Sequence, residues 1–180
     1  TKAGDLSSPL RDRFGIVSKL KFYTDKELME IIKRTSRVLK MDIADDAALE
    51  LAKRSRGTPR IANRLFKRVR DFALVDKKEI IDLEEMQKAL EKLKVDKGGL
   101  DEADHQLLRA IIERFNGGPV GIEALASSIG EEVSTIEDVM EPYLLQEGYL
   151  KRTTRGRCVT PKAYEQLHIS YQNNLFGGMI

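Results

Sequence analysis

The chain has 180 residues, 41% of them hydrophobic and 33% charged, a composition ordinary for a soluble globular protein and enough length for one domain or two small ones. Its formal net charge of +2 excludes any inference about partners from overall charge, because acids and bases nearly cancel and only their distribution can inform. A single cysteine, Cys158, excludes an internal disulfide and a thiolate zinc site, and two histidines, His105 and His168, offer no metal centre.

No apolar run approaches the roughly 20 residues that span a bilayer, and the N-terminal stretch lacks the apolar core of a signal peptide. Cytoplasm is therefore the expected location. The first segment, residues 1–22, does not read as the start of a domain. Ser7 to Phe14 reads as a short capped helix stopped by Gly15, and Ile16 to Phe22 has part of a strand's alternation. One strand without a neighbour cannot satisfy its ladder, so this segment is expected to be the edge of a larger α/β domain.

Four helices are predicted next, over residues 23–96. Thr24-Asp25-Lys26-Glu27 is a capping box, followed by Leu28, Ile31, Ile32, Val38 and Leu39 on one helical face. Asp45 or Asp46 is expected to cap a second helix through Ala48, Leu51 and Ala52, with Gly57 suiting its C-terminal turn. Thr58-Pro59 opens the third, with Ile61, Leu65, Val69 and Phe72 as its buried stripe. Asp82-Leu83-Glu84-Glu85 reads as another capping box, opening a fourth helix with Met86, Leu90 and Leu93.

Lys97-Gly98-Gly99 is the best linker candidate, and a second unit follows over residues 97–170. Leu107, Leu108, Ile111, Ile112 and Phe115 line one helix, ended by the Gly117-Gly118-Pro119 turn. Ile122 to Ile129 is a short helix closed by Gly130. Ser134 to Glu137 is expected to box a helix reaching about Leu145, with Pro142 as a kink or early stop. Gly148 to Arg152, a turn through Gly156, and Arg157 to Thr160 read as a β-hairpin, and Pro161 starts a last helix. The order is that of a winged helix-turn-helix. The polar tail, residues 171–180, is expected to be flexible.

Four stretches carry a resemblance. Ser8 to Gly15, Arg56 to Ala62, Gly117 to Gly121, and Glu141 to Leu144 running into Arg155-Gly156-Arg157 closely resemble the RuvB family of Holliday-junction branch-migration motors, in that family's order and spacing. The resemblance covers nearly the whole chain up to His168. It implies a mainly α fold: a remnant of the AAA+ ATPase core (arginine-finger helix and one strand), a four-helix AAA+ lid, and a winged helix-turn-helix with a small β-hairpin wing. It also implies ATP with magnesium as the parent protein's cofactors, hexameric rings on duplex DNA, and loading by RuvA onto Holliday junctions. Residues resembling the Gly-x-x-x-x-Gly-Lys-Ser/Thr loop and the acidic magnesium-holding strand are not in this sequence. The expectation is a chain that by itself neither hydrolyses ATP nor binds it tightly, and that has lost the family's route to RuvA, through the core.

By position in the family's motif, Arg13 rather than Arg11 corresponds to the arginine finger that reaches a neighbour's γ-phosphate in trans. Tyr23 falls where the family places an aromatic near adenine, although packing at the core–lid junction would explain it nearly as well. Arg60, the second residue of its helix, stands at the positive end of the dipole, which favours an external anion. The resemblance makes it the second nucleotide sensor. Arg64, Lys67 and Arg68 share its face, and Lys53, Arg54 and Arg56 lie just upstream, so a long basic surface is expected.

In the hairpin, Lys151, Arg152, Arg155, Arg157 and Lys162 occur with no acid between Glu147 and Glu165. Match to the family points to Arg152 and Arg157 as DNA contacts, with Arg155 at the tip. The preceding helix and its flanks are acidic, with Glu131, Glu132, Glu137, Asp138, Glu141 and Glu147, and the helix lacks residues that read base edges. Sequence-independent binding by the wing is therefore expected. The alternatives are a winged-helix regulator with a helical dimerisation domain, which the acidic helix opposes, and a protein-interaction module. Cys158 reads as a small hydrophobe in the second wing strand. His105 and His168 are assigned no role.

Overall fold

The computed structural model describes Arg13 and residues 21–170. The predicted helix over residues 7–14, Arg11 within it, and the tail from residue 171 lie outside the described residues apart from Arg13, which is exposed in a turn. Of the predicted strand over residues 16–22, only Lys21 and Phe22 are described, and they have no strand geometry.

Helix α1 (Asp25–Val38) begins at the predicted capping box. The Glu27 N–H donates to Thr24 Oγ1 at 3.3 Å and the Thr24 N–H to Glu27 Oε2 at 2.8 Å. Strand β1 (Asp42–Ile43) leads into α2 (Asp45–Lys53), whose cap is Ala44 rather than an aspartate. Asp45 and Asp46 lie inside the first turn, where carboxylates meet the positive end of the dipole. In α3 (Pro59–Val75) proline occupies the first position as predicted, but the Thr58 hydroxyl donates back to the Arg56 carbonyl at 3.0 Å and caps nothing. The buried stripe of α3 is Ala62, Leu65, Phe66, Val69 and Ala73. Ile61 and Phe72 are half-buried against it.

Strand β2 (Ile80–Ile81) pairs in parallel with β1, Asp42 opposite Ile80. Two-residue strands are too short for alternation to reveal them, and the sequence reading missed both. In α4 (Leu83–Lys92) Asp82 accepts the Glu85 N–H at 2.8 Å, the aspartate half of the predicted box. These elements enclose one core, with Leu28, Ile32, Leu51, Phe66, Met86 and Leu90 fully buried.

A second core forms around Leu107, Leu108, Ile111, Leu125 and Leu144. Helix α5 (Glu102–Phe115) opens on a reciprocal cap between Asp101 and Asp104. Helix α6 (Ile122–Ile129) matches its predicted span. The next helical path is one continuous run in three parts: α7 (Val133–Thr135), a π-helical turn (Ile136–Met140) and α8 (Glu141–Gln146). Its cap is Glu132, so the expected box at Ser134 is absent. Pro142 neither stops nor breaks this path. Proline brings no N–H, and the wider π turn just before it lets the chain pass with its carbonyls re-registered.

The wing is β3 (Leu150–Thr153) and β4 (Gly156–Val159), antiparallel with Arg152 opposite Arg157, and α9 (Pro161–Gln166) follows. Val120 joins β4 by two 2.9 Å backbone bonds to Arg157. The two cores meet at the expected linker, which is pinned rather than loose. Asp96 accepts from the Leu100 N–H at 2.8 Å and from Gln166 Nε2 at 2.7 Å, and its carboxylate lies 2.7 Å from His105 Nε2. His105, left without a role by the sequence, thus fastens the junction to α5.

Candidate nucleic-acid interface

Three groups of predicted residues occupy different parts of this scaffold. At the lid edge, Phe22 and Tyr23 are exposed, and the Tyr23 N–H donates to the Gly57 carbonyl at 2.9 Å. This bond ties the start of the lid to the turn that introduces α3. Arg60 is exposed at the second position of α3, and no carboxylate among the described residues pairs with it. With Arg64 it lines a groove of about 530 Å³ whose other residues include Val139, Pro142 and Tyr143 of the second unit and two acids, Asp101 and Asp138. A guanidinium at the positive end of a helix, in a groove that the exposed Phe22 also lines, offers donors that an anionic aromatic ligand such as a nucleotide could use.

The expected basic surface is shorter than the sequence suggested. Arg64, Lys67 and Arg68 are exposed, but Arg54 and Arg56 are buried. Arg54 bonds Glu50 at 3.1 Å, and Lys53 pairs with Glu50 at 3.5 Å. Arg56 turns inward, 9% exposed, with Nε donating to the Gly99 carbonyl at 2.8 Å, Nη2 on Asp104, and Asp101 at 3.4 Å. Its guanidinium lies 4.9 Å from the Tyr143 ring centroid, and the Tyr143 hydroxyl donates to the Gly98 carbonyl at 2.7 Å. Arg56 therefore links the α3 turn to the second unit. Sequence reasoning missed this, because the partners lie more than forty residues away in the chain.

Burial pushes the Asp104 carboxyl up to about 6 from 3.8; the Arg56 charge opposes this and the nearby Asp101 adds to it. Between 3.8 and about 6 the folded state holds a proton that the unfolded state lacks, so raising pH through that window favours unfolding. The loss is complete above 6 and amounts to ~3 kcal/mol from a shift of this size. Carboxyl-carbon NMR should give Asp104 a midpoint near 6. A midpoint at the ordinary aspartate value would show that Arg56 fully offsets the burial.

The wing carries the third group. Arg155 is exposed at the two-residue tip and Lys151 is exposed on β3. Lys162, counted with them in the sequence, is engaged elsewhere: its Nζ donates to the Glu147 carbonyl at 2.6 Å and sits 4.4 Å from the Tyr149 ring centroid. Arg152 and Arg157 share one carboxylate. Arg152 grips Glu141 through Nε at 2.8 Å and Nη2 at 2.6 Å, while Arg157 reaches it at 3.0 and 3.2 Å and also bonds Glu137 at 3.1 Å. Burial would raise the Glu141 carboxyl, but the bonds and charges of the two arginines outweigh it and hold the group below the usual range. The Arg157 side chain is only 13% exposed, whereas that of Arg152 is 54% exposed.

The helix acids that weighed against DNA binding are therefore partly internal. Glu137 and Glu141, one turn apart, neutralise a cross-strand arginine pair that would otherwise be repulsive. Among the described residues, no cluster of His, Cys, Asp or Glu could hold a metal ion, and no helix is long and apolar enough to cross a membrane.

Residues 23–96 match the RuvB AAA lid domain and residues 97–168 the RuvB C-terminal winged helix domain. The chain is 58% identical over 175 residues to the Holliday junction branch migration complex subunit RuvB of Acholeplasma laidlawii, covering 97% of this chain and 52% of that protein. It is 59% identical over 165 residues to the corresponding subunit of Phytoplasma mali, covering 92% and 50%. The solved RuvB Holliday junction branch migration motor of Thermotoga maritima superposes with a TM-score of 0.89 at 55% identity, over 94% of this chain and 57% of that one. The chain spans about half the length of the curated relatives it matches.

Proposed function

The chain belongs to the RuvB family, and on that premise we propose that it is the nucleotide-sensing and duplex-gripping portion of an ATP-driven Holliday-junction branch-migration motor. The observation that supports this best is the layering of charge in the wing. Acids of the helical path lie behind the hairpin and pair with Arg157 and Arg152, while Lys151, Arg155 and the outer half of Arg152 face solvent. That surface suits phosphates and leaves base edges unread, as a motor moving over any sequence requires.

Tyr23 and Arg60 are the residues of this chain that would hold nucleotide, and Arg13 would serve a neighbouring subunit's nucleotide as its arginine finger. The nucleotide, with its magnesium, supplies phosphate-bond hydrolysis as the energy source. Arg60 supplies a charge at a helix terminus, and its groove is shared with the winged-helix unit. The assembly expected from this reading is a hexameric ring, with RuvA as the loading partner met through the rest of the parent protein.

The test is a duplex titration at several salt concentrations. With two or three wing phosphate contacts, log affinity should fall against log salt with a slope of about −2 to −3, the same for unrelated sequences. The double variant R152A/R155A should weaken every duplex alike and flatten the slope by about 2. Affinity that ignored salt would overturn the wing reading, and enrichment of a single sequence would favour a regulator instead.

A further inference from the structure

Glu141 offers one carboxylate to two guanidiniums, and the two are not equivalent. Arg157 is fixed: its backbone bonds Val120 in both directions at 2.9 Å, and its side chain is held by Glu141 and Glu137 and almost covered. Arg152 stands on β3, which has no strand on its outer side among the described residues, and more than half of its side chain is in solvent. Glu141 itself is 1% exposed. A carboxylate this deep cannot be left without a cation, so at least one arginine must stay on it. The two arginines and two acids together carry no net charge.

We propose that Glu141 is a positioning residue that sets how tightly the wing holds DNA: it keeps Arg157 as its permanent partner and lends Arg152 to a backbone phosphate. This rests on the wing being the duplex-binding surface. Because Arg157 covers Glu141 throughout, Arg152 can swing from carboxylate to phosphate without stranding a buried charge. Phosphate must compete with Glu141 for Arg152, so the grip is weaker than three unpaired cations would give. A wing that must release one phosphate before taking the next gains from that competition, since the departing guanidinium has a partner waiting.

The experiment uses the whole chain with a 20-base-pair duplex of mixed sequence as probe. In wild type, the Nε–H resonance of Arg152 should shift on adding duplex while that of Arg157 stays in place. The variant E141Q removes the competing charge and adds one net positive charge to the cluster. It should bind several-fold more tightly at moderate salt, with the slope little changed because the same phosphates are contacted. A merely structural role for Glu141 would instead lower affinity. The resonance titration needs no variant and decides the matter even if E141Q folds poorly. An Arg152 resonance that stays in place, an Arg157 resonance that moves with it, or a folded E141Q with equal or weaker affinity overturns the proposal. Arg155 touches neither acid, and R155A separates the two ideas. If R155A weakens binding while Arg152 does not respond, only the exchange fails. If R155A binds as wild type and Arg152 is silent, the wing reading fails as well.

Discussion

Replacing Arg56 by alanine should split a single cooperative unfolding transition into two and destabilise the chain by about 3–5 kcal/mol at pH 8. The substitution removes the donor to the Gly99 carbonyl and the cation over Tyr143, and strands Asp104 with Asp101 as its nearest charge. Asp104 is almost wholly buried and can escape only by taking up a proton. Without Arg56, whose charge pulls its titration down, its midpoint should rise above 6. At pH 5 the carboxyl is neutral with or without Arg56, so the loss should shrink there to that of the hydrogen bonds, about 1–2 kcal/mol. Urea unfolding by circular dichroism at both pH values, with amide exchange in α1 and α5 as separate reporters, measures both points. A pH-independent loss with one transition retained would show that Arg56 does not join the two cores.

The second large effect is predicted at the wing tip. Gly156→Ala should cost about 2–5 kcal/mol in the second unit, combining backbone strain with a steric clash. Gly156 has φ +136°, and a Cβ there would run into the Val120 carbonyl and lie 3.1 Å from its nitrogen. The obstacle is the Val120 backbone, which cannot turn aside as a flexible side chain could. β4 would have to leave Val120, taking Arg157 away from Glu141. Duplex affinity should therefore fall about tenfold although no cation has been removed. Gly148→Ala is the control, with φ +73° but nothing within 4 Å of the added carbon. It should cost only the left-handed strain, about 1–2 kcal/mol, and leave duplex binding unchanged. Equal effects at both glycines would argue that the approach of Val120 is unimportant.

Much of the fold could be read from local chemistry. Thr24 with Glu27, Pro59 at a first helical turn, and Gly130 after Ile129 announce helix boundaries through bonds or angles made within a few residues. What escaped was either too short or too distant. β1 and β2 have two residues each, and the π turn before Pro142 depends on how a helix settles against its neighbours. Arg54 and Arg56 read as surface charge because their buried partners, the carbonyls of Val95 and Gly99 and the Asp104 carboxylate, are far along the chain. In the wing, the hairpin and its cluster of cations were legible, as were the acids of the preceding helix. Nothing local said that α8 lies under β3 and brings the two groups face to face.

The pinned junction at Asp96 has a mechanical meaning. A flexible tether between lid and wing would absorb a small displacement before it travelled anywhere. Here Asp96 fastens the connection to both α5 and α9, and Arg56 fastens the α3 turn to the same region. The Phe22 side chain packs directly against Gly57, the residue next to Arg56. Close-packed interiors transmit strain rather than dissipate it. A shift imposed at Phe22 would thus meet packed and hydrogen-bonded groups at every step towards the second unit, and would reach α5 and α9 with little slack to absorb it.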